Sequence, residues 1–143
     1  MSEAAAPSPA SRRPVLRATS ITIGTPRPHE LADFYARLLG YRRTGDDPPS
    51  DDGTDAGWAQ LSPPEGEPGM RLNFEEERRW SPPVWPAVAG RQVATQHLDV
   101  KVEDLDAAVD WALEQGATLA DPQPQDDVRV MLDPDGHPFC LFL

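Results

Sequence analysis

Apolar residues recur along this chain in two rhythms, a period of two and a period near 3.6, and the same order of rhythms occurs twice. Ser20-Ile21-Thr22-Ile23 alternates as a half-buried strand does. Leu31, Phe34, Tyr35, Leu38 and Leu39 then fall at i, i+3, i+4, i+7 and i+8, one apolar stripe along a helix. Pro28 suits the first helical turn, where its missing N–H would go unpaired anyway, and Gly40 suits the stop. In the second half His97-Leu98-Asp99-Val100 alternates, and Leu105, Ala108, Val109, Ala112 and Leu113 repeat the stripe. Asp104 is placed to cap that helix and Gly116 to end it.

Each helix leaves room for three short strands before the next boundary. The pattern predicts them near residues 41–45, 56–61 and 69–76, and again near 117–121, 127–132 and 138–143. Asp46 to Gly53 and Asp133-Pro134-Asp135-Gly136 are turn or loop chemistry between them. The offsets agree as well: Ser20 to Phe34 and His97 to Trp111 are both 14 residues. Each half therefore reads β-α-β-β-β, an α+β chain of two tandem βαβββ modules. Module one spans 15–76, a linker rich in Trp and Pro spans 77–92, and module two spans 93–143, together one domain over 15–143. Residues 1–14 are small, polar and Pro-rich and read as a disordered tail.

One helix covers one face of each four-stranded sheet, so the opposite face is buried elsewhere or lines a cavity. Strand alternation assigns the faces. Leu98 and Val100 belong under the second helix, which turns His97 and Asp99 to the concave side. Ile21 and Ile23 belong under the first, leaving Ser20 and Thr22 concave. At the module ends Leu72 and Phe74 oppose Asn73 and Glu75, and Phe139 and Leu141 oppose Cys140. Ser20, Asn73, His97 and Cys140 are then four equivalent positions converging on one hollow.

Three stretches carry a family likeness. Leu31 to Gly40 contains Phe34-Tyr35 followed by Leu39-Gly40, and Val102 to Val109 with Gln115-Gly116-Ala117 is its second-module counterpart. Asp133 to Phe139 holds an Asp-Pro-Asp-Gly turn before the last strand. In order, on a duplicated chain, these resemble the vicinal-oxygen-chelate superfamily of glyoxalases, bleomycin-resistance proteins and dioxygenases, nearest to the glyoxalase-like proteins abundant in actinobacteria. The resemblance implies paired modules forming a curved mixed sheet around a small-molecule cavity, commonly as a homodimer. In metal-using members it implies a divalent ion held by His or Gln on the first strand of each module and Glu on the last. Here the matching positions hold Ser20, Asn73, His97 and Cys140, of which only His97 is an ordinary ligand. Glu75 joins His97 if the strand register shifts by two. A metal-free cavity is therefore the expectation, with no cofactor, and a divalent metal on His97 with Glu75 or Cys140 is the alternative.

Charge narrows the partners. Thirteen Lys plus Arg against 24 Asp plus Glu give a net −11, which repels nucleic acid and anionic membranes. No apolar run approaches bilayer length, and the first residues lack a secretory pattern, so a cytoplasmic protein is expected. The single cysteine excludes an internal disulfide.

Several side chains admit two readings each. His97 suits a ligand, a general base or a pocket contact, or else an interior histidine paired with Asp99 or Gln60. Cys140 suits a nucleophile or thiolate ligand, or a small buried hydrophobe. Trp58 is the aromatic best placed for a pocket wall, whereas Trp80 and Trp85 read as pins for the linker and Trp111 as helix packing. Arg129 shares a strand face with Met131 and, if that face is concave, receives an anionic ligand group. The expected ligand set is thus Ser20, Thr22, Trp58, Gln60, Asn73, Glu75, His97, Asp99, Arg129 and Cys140. His29 and His137 lie at a helix start and a turn and are expected at the surface. Two functions follow: a protein that binds a small organic molecule, or a metal-dependent lyase, isomerase or dioxygenase.

Overall fold

The structure is a computed structural model and describes residues 13–143, so most of the stretch read as a disordered tail lies outside the described residues. Residues 13–19 are exposed and carry no regular structure. The element order is β1 (Ser20–Thr25), α1 (Pro28–Leu39), β2 (Arg42–Asp47), β3 (Trp58–Ser62) and β4 (Arg71–Glu76) in module one. Module two repeats it with β5 (Leu98–Lys101), α2 (Leu105–Gln115), β6 (Thr118–Leu119), β7 (Val128–Leu132) and β8 (Pro138–Phe142). The eight strands form two four-stranded sheets, ordered β1-β4-β3-β2 and β5-β8-β7-β6. In each, the first strand pairs parallel with the last and the other pairs are antiparallel. Strand β6 stops short of the expected 117–121, since Pro122 offers no N–H to extend the ladder.

The helix ends form as their residues dictate. Pro28 occupies the first turn of α1, and Gly40 closes it at φ 69°. Asp104 accepts from the Ala107 N–H at 3.0 Å, capping α2.

The faces divide by side-chain polarity. Ala59, Leu61, Leu72 and Phe74 lie buried beneath α1, and Met131, Phe139 and Leu141 pack in the same core. Ile21, Ile23, Leu98 and Val100 pack against that core from the first strands. A single aromatic cluster joins the modules: Tyr35 stacks on Phe74 at 5.6 Å, and Phe34 and Tyr35 each lie 6.2 Å from Phe139. Burying each such side chain contributes roughly 1.5–3 kcal/mol, so the modules hold together as one core. Trp111, expected as helix packing, is 45% exposed and donates its indole N–H to the Leu38 carbonyl at 3.1 Å, tying α2 to the end of α1. No helix among the described residues is long and apolar enough to cross a membrane.

Candidate functional site

Between β1, β5 and the linker lies a cleft of about 630 Å³. Its walls include Ile21, Ile23, Trp80, Pro83 and Val93, and its polar rim includes Thr22, His97 and Asp99. Tyr35 and His137 also border it. An apolar cleft with a few polar groups at one end is the ordinary form of a small-molecule site.

The structure distributes the expected residues over distinct groups rather than one. Thr22, His97 and Asp99 reach the cleft. Cys140 pairs with Asp99 across the β5–β8 ladder, and donor atoms of His97, Asp99 and Cys140 lie within 4.8 Å of one another. His97 Nε2 stands 3.2 Å from Asp99 Oδ1, with the side chains 50% and 63% exposed. The histidine is therefore at the surface end of the cleft, with Asp99 and not Gln60 as its partner. Burial and the Asp99 charge push the Cys140 thiol above its ordinary pKa.

In module one the corresponding positions make a hydrogen-bonded ladder. Asn73 donates to Ser20 Oγ at 3.2 Å and accepts from Gln60 at 3.0 Å, and Thr44 reaches both Gln60 and Ser62. Ser20 and Asn73 thus correspond to His97 and Cys140, as the repeat requires, but they are not among the residues bordering the cleft. Glu75 pairs in register with Trp58, is exposed, and is not part of the His97 group. Trp58 itself donates to Asp47 Oδ2 at 2.6 Å on that same sheet face, away from the cleft.

Arg129 overturns its expectation. It pairs with Leu141, and neighbouring Met131 pairs with Phe139, so that strand face is the helix-covered one. Its guanidinium donates to the carbonyls of Gln125, Asp126 and Val128. Alternation alone does not tell which face of β7 is covered; the pairing with β8 does.

The residues that sequence reasoning passed over form the most connected polar group. Asp133, buried in the turn before β8, accepts from Tyr35 Oη at 2.8 Å and from the Asp135 and His137 N–H groups at 3.0 Å each. His137, expected at the surface, is only 19% exposed and donates from Nδ1 to Asp133 at 2.7 Å. Its Nε2 donates to the Gly24 carbonyl at 2.9 Å. An acceptor thus faces each ring nitrogen, an arrangement that favours the protonated ring. Burial works against the charged form, but the bonds to Asp133 and Gly24 outweigh it and raise the pKa above its ordinary value. Trp80 rests on the ring with centroids 4.6 Å apart, so this linker tryptophan pins the linker and borders the cleft together. Beside it, Asp135 accepts from Thr25 Oγ1 at 2.5 Å and from Arg27 at 2.6 Å. The signal in the sequence was Asp133 four residues before His137, joined across a turn.

As a metal site, the donors do not match the set implied by the resemblance: no second His or Gln stands on β1, and neither β4 nor β8 brings a Glu to His97. The nitrogen, oxygen and sulfur donors of His97, Asp99 and Cys140 are the group among the described residues that could hold a metal ion.

Comparison with known proteins agrees with this architecture. The model of the glyoxalase-like domain matches residues 20–142. A glyoxalase family protein from Enterococcus faecalis superposes with a TM-score of 0.63 at 20% identity, covering 89% of this chain and 97% of that one. TnmS3, an antibiotic binding protein from Streptomyces sp. CB03234, gives 0.58 at 19% identity, covering 92% and 98%. The fosfomycin resistance protein FosX from Listeria monocytogenes, complexed with Mn(II) and 1S,2S-dihydroxypropylphosphonic acid, gives 0.65 at 11% identity, covering 90% and 92%. No curated protein matches the chain. From the duplicated modules, the two mixed sheets and the match over residues 20–142, the chain belongs to the glyoxalase-like domain family of the vicinal-oxygen-chelate superfamily.

Proposed function

We propose that this protein binds a small organic molecule in the cleft between its modules, without a full catalytic metal site. The observation that carries this reading is the cleft itself, about 630 Å³ with Ile21, Ile23, Trp80 and Val93 on its walls and His97 and Asp99 at its rim. An antibiotic binding protein among the structural neighbours is consistent with it. Thr22, His97 and Asp99 contact the ligand; Ser20, Gln60, Asn73, Glu75, Trp58 and Cys140 shape the adjoining polar sheet faces. In this reading the folded unit is residues 15–143, works in the cytoplasm and resembles actinobacterial glyoxalase-like proteins. A homodimer covers polar sheet faces left half-exposed in one chain, and sedimentation at high concentration showing only monomer would refute that part.

Thermal unfolding in the presence of a panel of small organic compounds tests the main reading. A ligand specific to the folded state raises the melting temperature, and a broad panel with no stabilising member removes the proposal.

The clustering of His97, Asp99 and Cys140 favours one second reading, a metal-dependent lyase, isomerase or dioxygenase. Here Cys140, not Glu75, stands with His97. Metal analysis of protein purified without chelator decides between them. Stoichiometric divalent metal, lost in His97→Ala, replaces the first reading; no metal, with properties unchanged in EDTA, removes the second.

A further inference from the structure

The cleft has a charge character that its apolar walls do not by themselves reveal. Among the described residues no Lys or Arg borders it, and the one carboxylate there, Asp99, is 63% exposed at the rim. Two histidines share that border among the described residues: His97 stands 3.2 Å from Asp99, and His137 is held by the Asp133 carboxylate at 2.7 Å and the Gly24 carbonyl at 2.9 Å. His137 is matched by the buried Asp133, so that pair offers no net attraction to an anion, whereas the rim carboxylate of Asp99 faces solvent. Arg27 is engaged, donating to Asp135 at 2.6 Å, and Lys101, two positions along β5 from Asp99, is outside the bordering residues, as are Arg79 and Arg91 of the linker. The whole chain adds a net charge of −11. An entering anion therefore meets repulsion at long range and, among the described residues, no Lys or Arg on the border at short range.

We infer that the site selects neutral or cationic planar molecules and rejects phosphonates, phosphates and carboxylates, with Asp99 the specificity-determining residue and Trp80 the planar surface. This rests on the proposed binding function and names the ligand class of that same cleft. The magnitude follows from Coulomb's law. One charge about 5 Å from Asp99 in a water-like dielectric changes affinity by about fourfold, and the effect counts in opposite directions for a cation and an anion. A cation and an anion of the same shape therefore differ by about tenfold or more, less at high salt.

The test uses three molecules with one ring system: naphthylmethylammonium, naphthylmethanol and naphthylmethylphosphonate, titrated calorimetrically into the full chain at low and high salt. The expected order is ammonium first, alcohol next and phosphonate weakest, with the spread shrinking as salt rises. Asp99→Asn narrows the spread and Asp99→Lys turns the order over, a gain for the phosphonate that loss of folding cannot imitate. Trp80→Leu weakens all three by a similar factor. A phosphonate bound as tightly as the ammonium overturns the inference while leaving the binding function standing. So does phosphonate binding that disappears in EDTA, because a metal would then supply the positive charge. Absence of binding for all three at millimolar concentration overturns the inference, while the binding function stands or falls with the broad panel of compounds.

Discussion

His137 donates across the module boundary to the main-chain carbonyl of Gly24, 2.9 Å away and 113 residues earlier in the chain. Its other nitrogen is held by Asp133, which also accepts from Tyr35 of α1. Strand β1, helix α1 and the turn before β8 are thereby fastened at one buried point beside the cleft.

That fastening makes stability depend on pH in a stated direction. The His137 pKa in the folded chain is raised above 6.5, so its contribution is fully present below that value. It is lost as the pH rises through the higher folded-state value. Denaturant unfolding at pH 6 and pH 9 should show a steeper loss for the native chain than for His137→Gln. At pH 6 the variant should be less stable by about 1–3 kcal/mol. Equal pH slopes in the two proteins would refute the assignment.

Tyr35→Phe removes one donor from buried Asp133 while leaving the aromatic packing on Phe74 and Phe139 in place. The expected loss is about 1–2 kcal/mol by urea unfolding. Burial, the Asp133 charge and its hydrogen bond hold the Tyr35 phenol well above the usual tyrosine range. Alkaline absorbance titration should therefore show its ionisation only as the chain unfolds. A freely titrating phenol would contradict the buried bond.

Gly57 and Gly53 separate backbone strain from crowding. Both have positive φ, 77° and 73°, but a Cβ at Gly57 would run into the Asp47 carbonyl and lie 2.9 Å from His29 Nε2, whereas Gly53 faces open space. Gly53→Ala should cost about 1 kcal/mol from the left-handed backbone alone. Gly57→Ala should cost about 2–4 kcal/mol, the excess coming from the clash. Similar losses at the two positions, measured by thermal or urea unfolding, would show that the β2–β3 connection does not pack as described.

Cys140, the single cysteine, gives a direct chemical readout of its surroundings. Burial and then the Asp99 charge raise its pKa, which lowers the thiolate fraction near neutrality. Alkylation by iodoacetamide at pH 8 should be slower than that of a free thiol, and Asp99→Asn should speed it by about twofold or more. An unchanged rate in that variant would separate the two side chains in solution.

Much of the fold was legible because it is local. The stripe from Leu31 to Leu39, the stops at Gly40 and Gly116, and the alternation around Ile21 and Leu98 each depend on neighbours a few residues away. The inward turn of Leu72, Phe74, Phe139 and Leu141 followed from the same two-residue period. Arg129 was misplaced because alternation yields two faces without saying which is covered, and only its pairing with Leu141 decides that.

By itself, the order of residues determined two βαβββ modules, their helix limits, and the division of each strand into an apolar and a polar side. It also turned Ser20, Asn73, His97 and Cys140, with Asp99 beside His97, toward one polar side. Only the tertiary structure decided that Ser20 and Asn73 hydrogen-bond within their own sheet, that Trp80 and the linker wall the cleft, and that His137 is held inside between Asp133 and Gly24. Those arrangements arise where one module meets the other, through contacts between residues distant in the chain, and no periodicity along a single segment encodes what a remote segment will press against it.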